Sequence, residues 1–90
     1  MFTFTGLLIK EEQGYSALCP ELDVASTGDT VEEAKAMLLE AATLHLEGAF
    51  EDGLPYLRPI PQDVDPRQIA PETIAHVFRF KVEVAVHAYA

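Results

Sequence analysis

Fifteen carboxylates, three histidines and one cysteine hold most of the chemistry this 90-residue chain could do. Their spacing decides between the possibilities. Six of the acids stand in polar clusters between apolar runs: Glu11 and Glu12, then Glu21 and Asp23, then Asp29 and Glu32. Clustered carboxylates can hold a divalent metal for hydrolysis, or they can attract a basic partner. The metal reading needs acids on the strands that build a core. The first apolar run, Phe2 to Ile9, has none, and the last has only Glu83, which alternates away from the apolar row. No catalytic metal is expected. His45, His76 and His87 are far apart and form no His-x-x-x-His or Glu-x-x-His pair, so His45 reads as a packed histidine rather than a ligand. Cys19 precedes Pro20 with no basic residue within eight positions, which suits a buried small apolar group better than a nucleophile. No cofactor motif is present, and none is expected.

Charge separates two readings of the acids. Fifteen acids against six bases give a net charge of -9. Residues 1–52 contain eleven of those acids and only Lys10 and Lys35, whereas residues 53–90 balance four against four. A surface that grips nucleic acid needs cations to neutralise phosphates, so direct DNA or RNA binding is not expected. The acidity serves either solubility or the steering of a basic partner. Glu21 and Asp23 divide in the same way, as solvated acids or as partner contacts.

Positioning these residues requires one small domain, since two cores could not be built from 90 residues. The composition, 49% hydrophobic and 23% charged, specifies a folded chain. No apolar run reaches the roughly 20 residues of a membrane span, and the N-terminus lacks the pattern of a secretory leader; a cytoplasmic protein is expected. A single cysteine permits no internal disulfide, so stability must come from packing, including a subunit interface.

Phe2 to Ile9 reads as a strand, Glu11-Glu12-Gln13-Gly14 as a tight turn, and Tyr15 to Cys19 as a second strand ended by Pro20. Asp23 to Thr27 gives a third. Thr30-Val31-Glu32-Glu33 fits a capping box, and the spacing of Val31, Ala34, Leu38, Ala41, His45 and Ala49, widened by Met37, Ala42 and Leu46, predicts an amphipathic helix stopping near Gly48 or just beyond. Five of the six prolines fall in a stretch at about 51–73, which predicts a long excursion without regular helix or central strand. Alternation over Ile74 to Ala88 predicts a long fourth strand, with Phe78, Phe80, Val82, Val84 and Val86 on one face and Arg79, Lys81, Glu83, Ala85 and His87 on the other. A right-handed crossover after one helix places it beside and parallel to the first strand. The expected fold is α+β: a three-stranded antiparallel meander, one helix, then the fourth strand. The second sheet face needs cover, and a homodimer or higher homo-oligomer supplies it, with Arg79, Lys81 and Glu83 either solvated or paired with acids of another subunit.

The run Glu11 to Leu22, followed by Ser26-Thr27-Gly28-Asp29-Thr30-Val31-Glu32-Glu33-Ala34 and Glu40-Ala41, resembles the HicB antitoxin family. In that pattern Gly14 serves the turn, Pro20 ends the strand, Gly28 supplies an unusual backbone angle, and Thr30 and Glu33 cap the helix. The resemblance implies a partial RNase H-like fold and no enzymatic activity. It also implies a partner, a small basic HicA-type toxin that cleaves mRNA and whose active surface the antitoxin covers. Glu11, Glu12, Glu21, Asp23, Asp29 and Glu32 are the residues expected to meet it. The alternative is a lone HicB-like domain acting as a homo-oligomeric structural or regulatory protein. The last predicted strand, Ile74 to Ala88, brings the sequence to Ala90, so the operator-binding segment of many family members is not expected.

Overall fold

Alternating apolar residues build a four-stranded sheet in the computed structural model, which describes residues 1–84. The strands are β1 (Phe2–Lys10), β2 (Tyr15–Cys19), β3 (Val24–Gly28) and β4 (Ile74–Val82), in the spatial order β3-β2-β1-β4. Between β3 and β4 come α1 (Val31–Asp52), a four-residue helix α2 (Pro66–Ile69), and single 3-10 turns at Gln62–Val64 and Pro71–Thr73. This is the expected α+β architecture, with the meander and the helix where the sequence places them.

One feature of the topology differs. β4 lies beside β1 as expected but runs antiparallel to it, from Ile74 opposite Ile9 to Val82 opposite Phe2. The reason is where the helix ends. Phe2, at the start of β1, has its ring 5.6 Å from that of Phe50 and 5.3 Å from that of Tyr56, so α1 finishes at the Phe2 end of the sheet. A short return from there would start a parallel strand. The link from Leu54 to Thr73 can span about 65 Å when extended, enough to travel the length of the sheet and enter β4 from the other end. The expected absence of regular helix in this link is also corrected, because Pro66 stands at the first position of α2, where its missing N–H costs nothing. Strand β4 ends at Val82, short of the expected span, since Glu83 and Val84 follow outside the strand; the rest of the expected extension toward Ala88, and the outward placement of Ala85 and His87, lie outside the described residues.

The core forms between the sheet and α1. Phe4, Leu8, Ala17, Cys19, Leu22 and Val82 meet Ala34, Leu38, Ala42 and Leu46 of the helix, with Phe78 and Phe80 packed at its border. Gly6 makes room for this border, since a Cβ there would sit 2.2 Å from the Phe78 ring. The helix begins at the predicted cap, with the return bond one residue early: Thr30 Oγ1 accepts from the Glu33 N–H at 3.1 Å, and Glu33 Oε1 accepts from the N–H of Asp29, at 3.3 Å, rather than from that of the capping Thr30. It runs 22 residues, through Gly48, to Gly53 in the left-handed region (φ 67°). Met37 does not join the core; it is 41% exposed. Gly28 is required for a steric reason rather than an unusual angle, because a Cβ there would meet the Ala34 nitrogen at 2.5 Å. On the opposite sheet face Thr5 and Leu7 are buried as well.

Candidate functional site

The six acids divide between the two ends of the sheet. Glu11 and Glu12 sit in the β1–β2 turn, closed by a hydrogen bond from the Glu11 N–H to the Gly14 carbonyl at 3.1 Å and by Gly14 at φ +88°, a conformation few other residues adopt. Asp29 and Glu32 sit where β3 passes into α1. The two places are neighbours: Tyr15 pairs with Gly28, and a Cβ on Gly14 would lie 2.5 Å from the Gly28 carbonyl oxygen and 3.3 Å from the Asp29 Cα. All four acids are exposed. Lys10 is the counter-charge of this end, its Nζ 3.4 Å from the Gly14 carbonyl and 4.5 Å above the Tyr15 ring. Ser16 Oγ donates to Glu11 Oε1 at 2.8 Å, which steadies one carboxylate. The result is an exposed anionic end whose backbone is fixed by a strand pair and a helix cap.

Glu21 and Asp23 lie at the other end, in the β2–β3 turn, and Glu21 faces inward. Because Pro20 ends β2, the Thr5 N–H of β1 has no strand partner there. Both carboxylate oxygens of Glu21 accept from it at 3.1 Å, and Oε2 also accepts from Thr5 Oγ1 at 2.9 Å. The Cys19 thiol donates to Glu21 Oε1 at 3.7 Å. Cys19 is fully buried, and burial, reinforced by the Glu21 charge, pushes its pKa up to about 12. It is a packed thiol, as its surroundings in the sequence suggest. Asp23 is exposed with φ 53°, and its carbonyl accepts from Arg58 Nη2 at 3.4 Å.

The link is tied to this same end. The Arg58 N–H donates to the Glu21 carbonyl at 2.9 Å and the Ile60 N–H to the Pro20 carbonyl at 3.0 Å. Asp65 caps α2 by accepting from the Arg67 N–H at 2.9 Å, and its carboxylate takes the Arg67 guanidinium at 2.7 Å. The hydrogen bond from Arg67 holds the buried Asp65 carboxyl below its ordinary range against the opposing effect of burial. Arg67 is raised in turn, first by Asp65, with the Glu21 charge adding to it. Sequence reading passed over this pair, although Asp65-Pro66, a capping acid before a proline at the first helical position, is a legible helix start.

The remaining candidates stand apart. His45 is half-buried with Nε2 2.7 Å from the Tyr56 carbonyl, so it fastens α1 to the link. Among the described residues no group of three His, Cys, Asp or Glu side chains converges on a point where a metal could sit. Arg79 and Lys81 are exposed on β4, opposite Thr5 and Thr3, with Glu83 exposed just beyond the strand. Among the described residues no helix is long and apolar enough to cross a membrane.

Comparison with known proteins follows the same lines. No family model matches the chain. Over 91% of its length it superposes on 99% of a chain from the solved HicA3 and HicB3 toxin-antitoxin complex, with a TM-score of 0.65 and 20% identity, which is a likeness of fold. It is 49% identical over 49 residues to UPF0150 protein ssl0738 of Synechocystis sp. (strain PCC 6803), an alignment that takes in 50% of this chain and 68% of the relative. The hairpin, the strand-ending proline and the capped helix that suggested a HicB-like protein thus form a fold found in a HicA–HicB complex, and the chain belongs to the UPF0150 family.

Proposed function

We propose that this protein is a non-enzymatic antitoxin that binds a small basic HicA-type toxin in the cytoplasm and covers its RNA-cleaving surface. The observation that carries this reading is the convergence of Glu11, Glu12, Asp29 and Glu32 on one exposed end of a fold that also occurs in a toxin–antitoxin complex. An acidic inhibitor meets a surface built for phosphate with the right sign of charge. Glu21 contributes differently from the other five acids, by closing β1 rather than by touching the partner, and Asp23 offers a second, weaker contact from the far end. The test is capture from a lysate of the source organism at low salt, followed by RNA cleavage by the captured protein with and without this chain. Inhibition that is lost in the Glu11→Lys/Glu12→Lys/Asp29→Lys variant supports the proposal; undiminished inhibition by that variant refutes it.

A homo-oligomeric role is the second reading, favoured by one observation. β4 is an edge strand nine residues long, with Arg79 and Lys81 on its exposed face and Glu83 next to them. Pairing of these charges with acids of another copy makes the mass depend on concentration, and Arg79→Glu/Lys81→Glu then shifts the protein to 9.9 kDa. Light scattering across a dilution series separates the two readings.

A further inference from the structure

The outer flank of α1 carries an apolar stripe that the fold does not use. Met37, Ala41, Leu44 and Gly48 recur at spacings of four, three and four, the seam spacing of a helix that packs against another helix. Met37 is 41% and Leu44 61% exposed. Gly48 leaves open space beside them, since nothing lies within 4 Å of where its Cβ would be. Beyond the helix end the stripe continues into a groove of about 550 Å³ whose lining includes Leu44, Gly48, Leu54, Leu57, Asp52 and Arg58. Leu54 and Leu57 are 59% and 55% exposed, so the apolar surface is continuous along the flank and around the helix end.

Charge identifies the occupant. Glu40, Glu47 and Glu51, spaced seven and four apart, form an exposed row along one border of the stripe, and Asp52 adds a carboxylate to the groove itself. An apolar seam bordered by acids complements an amphipathic helix whose apolar residues are bordered by Lys and Arg. A second copy of α1 fits poorly, because it brings no base to meet the glutamate row: Lys35, the one basic residue of α1, lies over the Phe78 ring with its Nζ 4.7 Å from the ring centre. We propose that this flank is a docking groove for a basic amphipathic helix of a partner protein, with a large apolar side chain of that helix seated over Gly48 between Leu44, Leu54 and Leu57. The surface is separate from the anionic end formed by Glu11, Glu12, Asp29 and Glu32, and the inference does not depend on the toxin reading.

The probe is a synthetic peptide of about 18 residues with leucine at helical i, i+3, i+4, i+7 spacing and lysine elsewhere, compared with a scrambled peptide of the same composition. Binding is read by fluorescence anisotropy and located by amide NMR shifts. The patterned peptide is expected to bind about tenfold or more tightly than the scrambled one, with shifts over residues 37–57 and an affinity that falls with salt. Leu44→Asp weakens it by a similar factor, and Gly48→Leu, which fills the groove while raising helix propensity, does the same with circular dichroism unchanged. Equal binding of both peptides, shifts confined to the Glu11 and Asp29 end, no binding, or unchanged affinity in both variants overturns the proposal. Self-association through the flank that strengthens with salt also overturns it, in favour of a second copy.

Discussion

Glu21 shows how one side chain completes a sheet. β2 ends at a proline, the Thr5 amide of β1 is left facing empty sheet, and the Glu21 carboxylate occupies the place of the missing strand. Glu21→Ala leaves that buried donor unpaired, and chemical denaturation is expected to show a loss of about 1–3 kcal/mol; Asp23→Ala, at an exposed side chain, is expected to change stability by about 0.5 kcal/mol or less. Two titrations belong to this scale. Asp65 has a lowered native pKa, so the stability it contributes is present above the ordinary aspartate value and is lost as pH falls through the native one. Asp65→Asn is therefore expected to flatten the acid limb of stability below about pH 4. Cys19 has the opposite sign. Its thiol holds its proton to about pH 12 in the folded chain against 9.0 ordinarily, so folding is favoured at neutral pH and loses stability as pH rises past 9.0. Alkylation at pH 8 is expected to be slow on the folded protein and fast in denaturant, and fast reaction of the folded protein contradicts the buried placement.

At the scale of elements, α1 carries two faces of different worth. Leu38 is fully enclosed and Met37, its neighbour, is not. Leu38→Ala is expected to cost about 2–5 kcal/mol and Met37→Ala about 0.5 kcal/mol or less, measured by urea midpoint at unchanged slope. Thr30→Ala, which removes the side-chain cap, should cost about 1 kcal/mol. Periodicity alone assigned Met37 to the core, because a stripe read from spacing has no sharp border. Only the width of the sheet beneath the helix sets how many positions are covered. The same limit applies to β4. Its alternation was legible from Phe78 to Val82, and the apolar row does face α1, yet nothing in an alternating strand encodes its direction.

Across the whole molecule, charge is segregated rather than spread. Five acids, Glu33 among them, crowd one end of the sheet, a glutamate row follows the outer flank of α1, and Arg58, Arg67, Arg79 and Lys81 all come from the part of the chain after α1. Association with a basic partner should therefore weaken steeply between low and physiological salt, which titration calorimetry at two ionic strengths can read. By itself the sequence determined what depends on neighbours along the chain. The Gly14 turn, the stop at Pro20, the Thr30 and Glu33 cap and the apolar face of the helix are local, and each was legible because its physical cause lies within a few residues. The tertiary structure decided what depends on distance across the fold. It set β4 antiparallel because a twenty-residue link starts at one end of the sheet and finishes at the other. It turned Glu21 inward because a strand edge there had an unpaired amide. It gathered Glu11, Glu12, Asp29 and Glu32 at one end because Gly14 lets two turns lie in contact, a proximity that separation along the chain does not reveal.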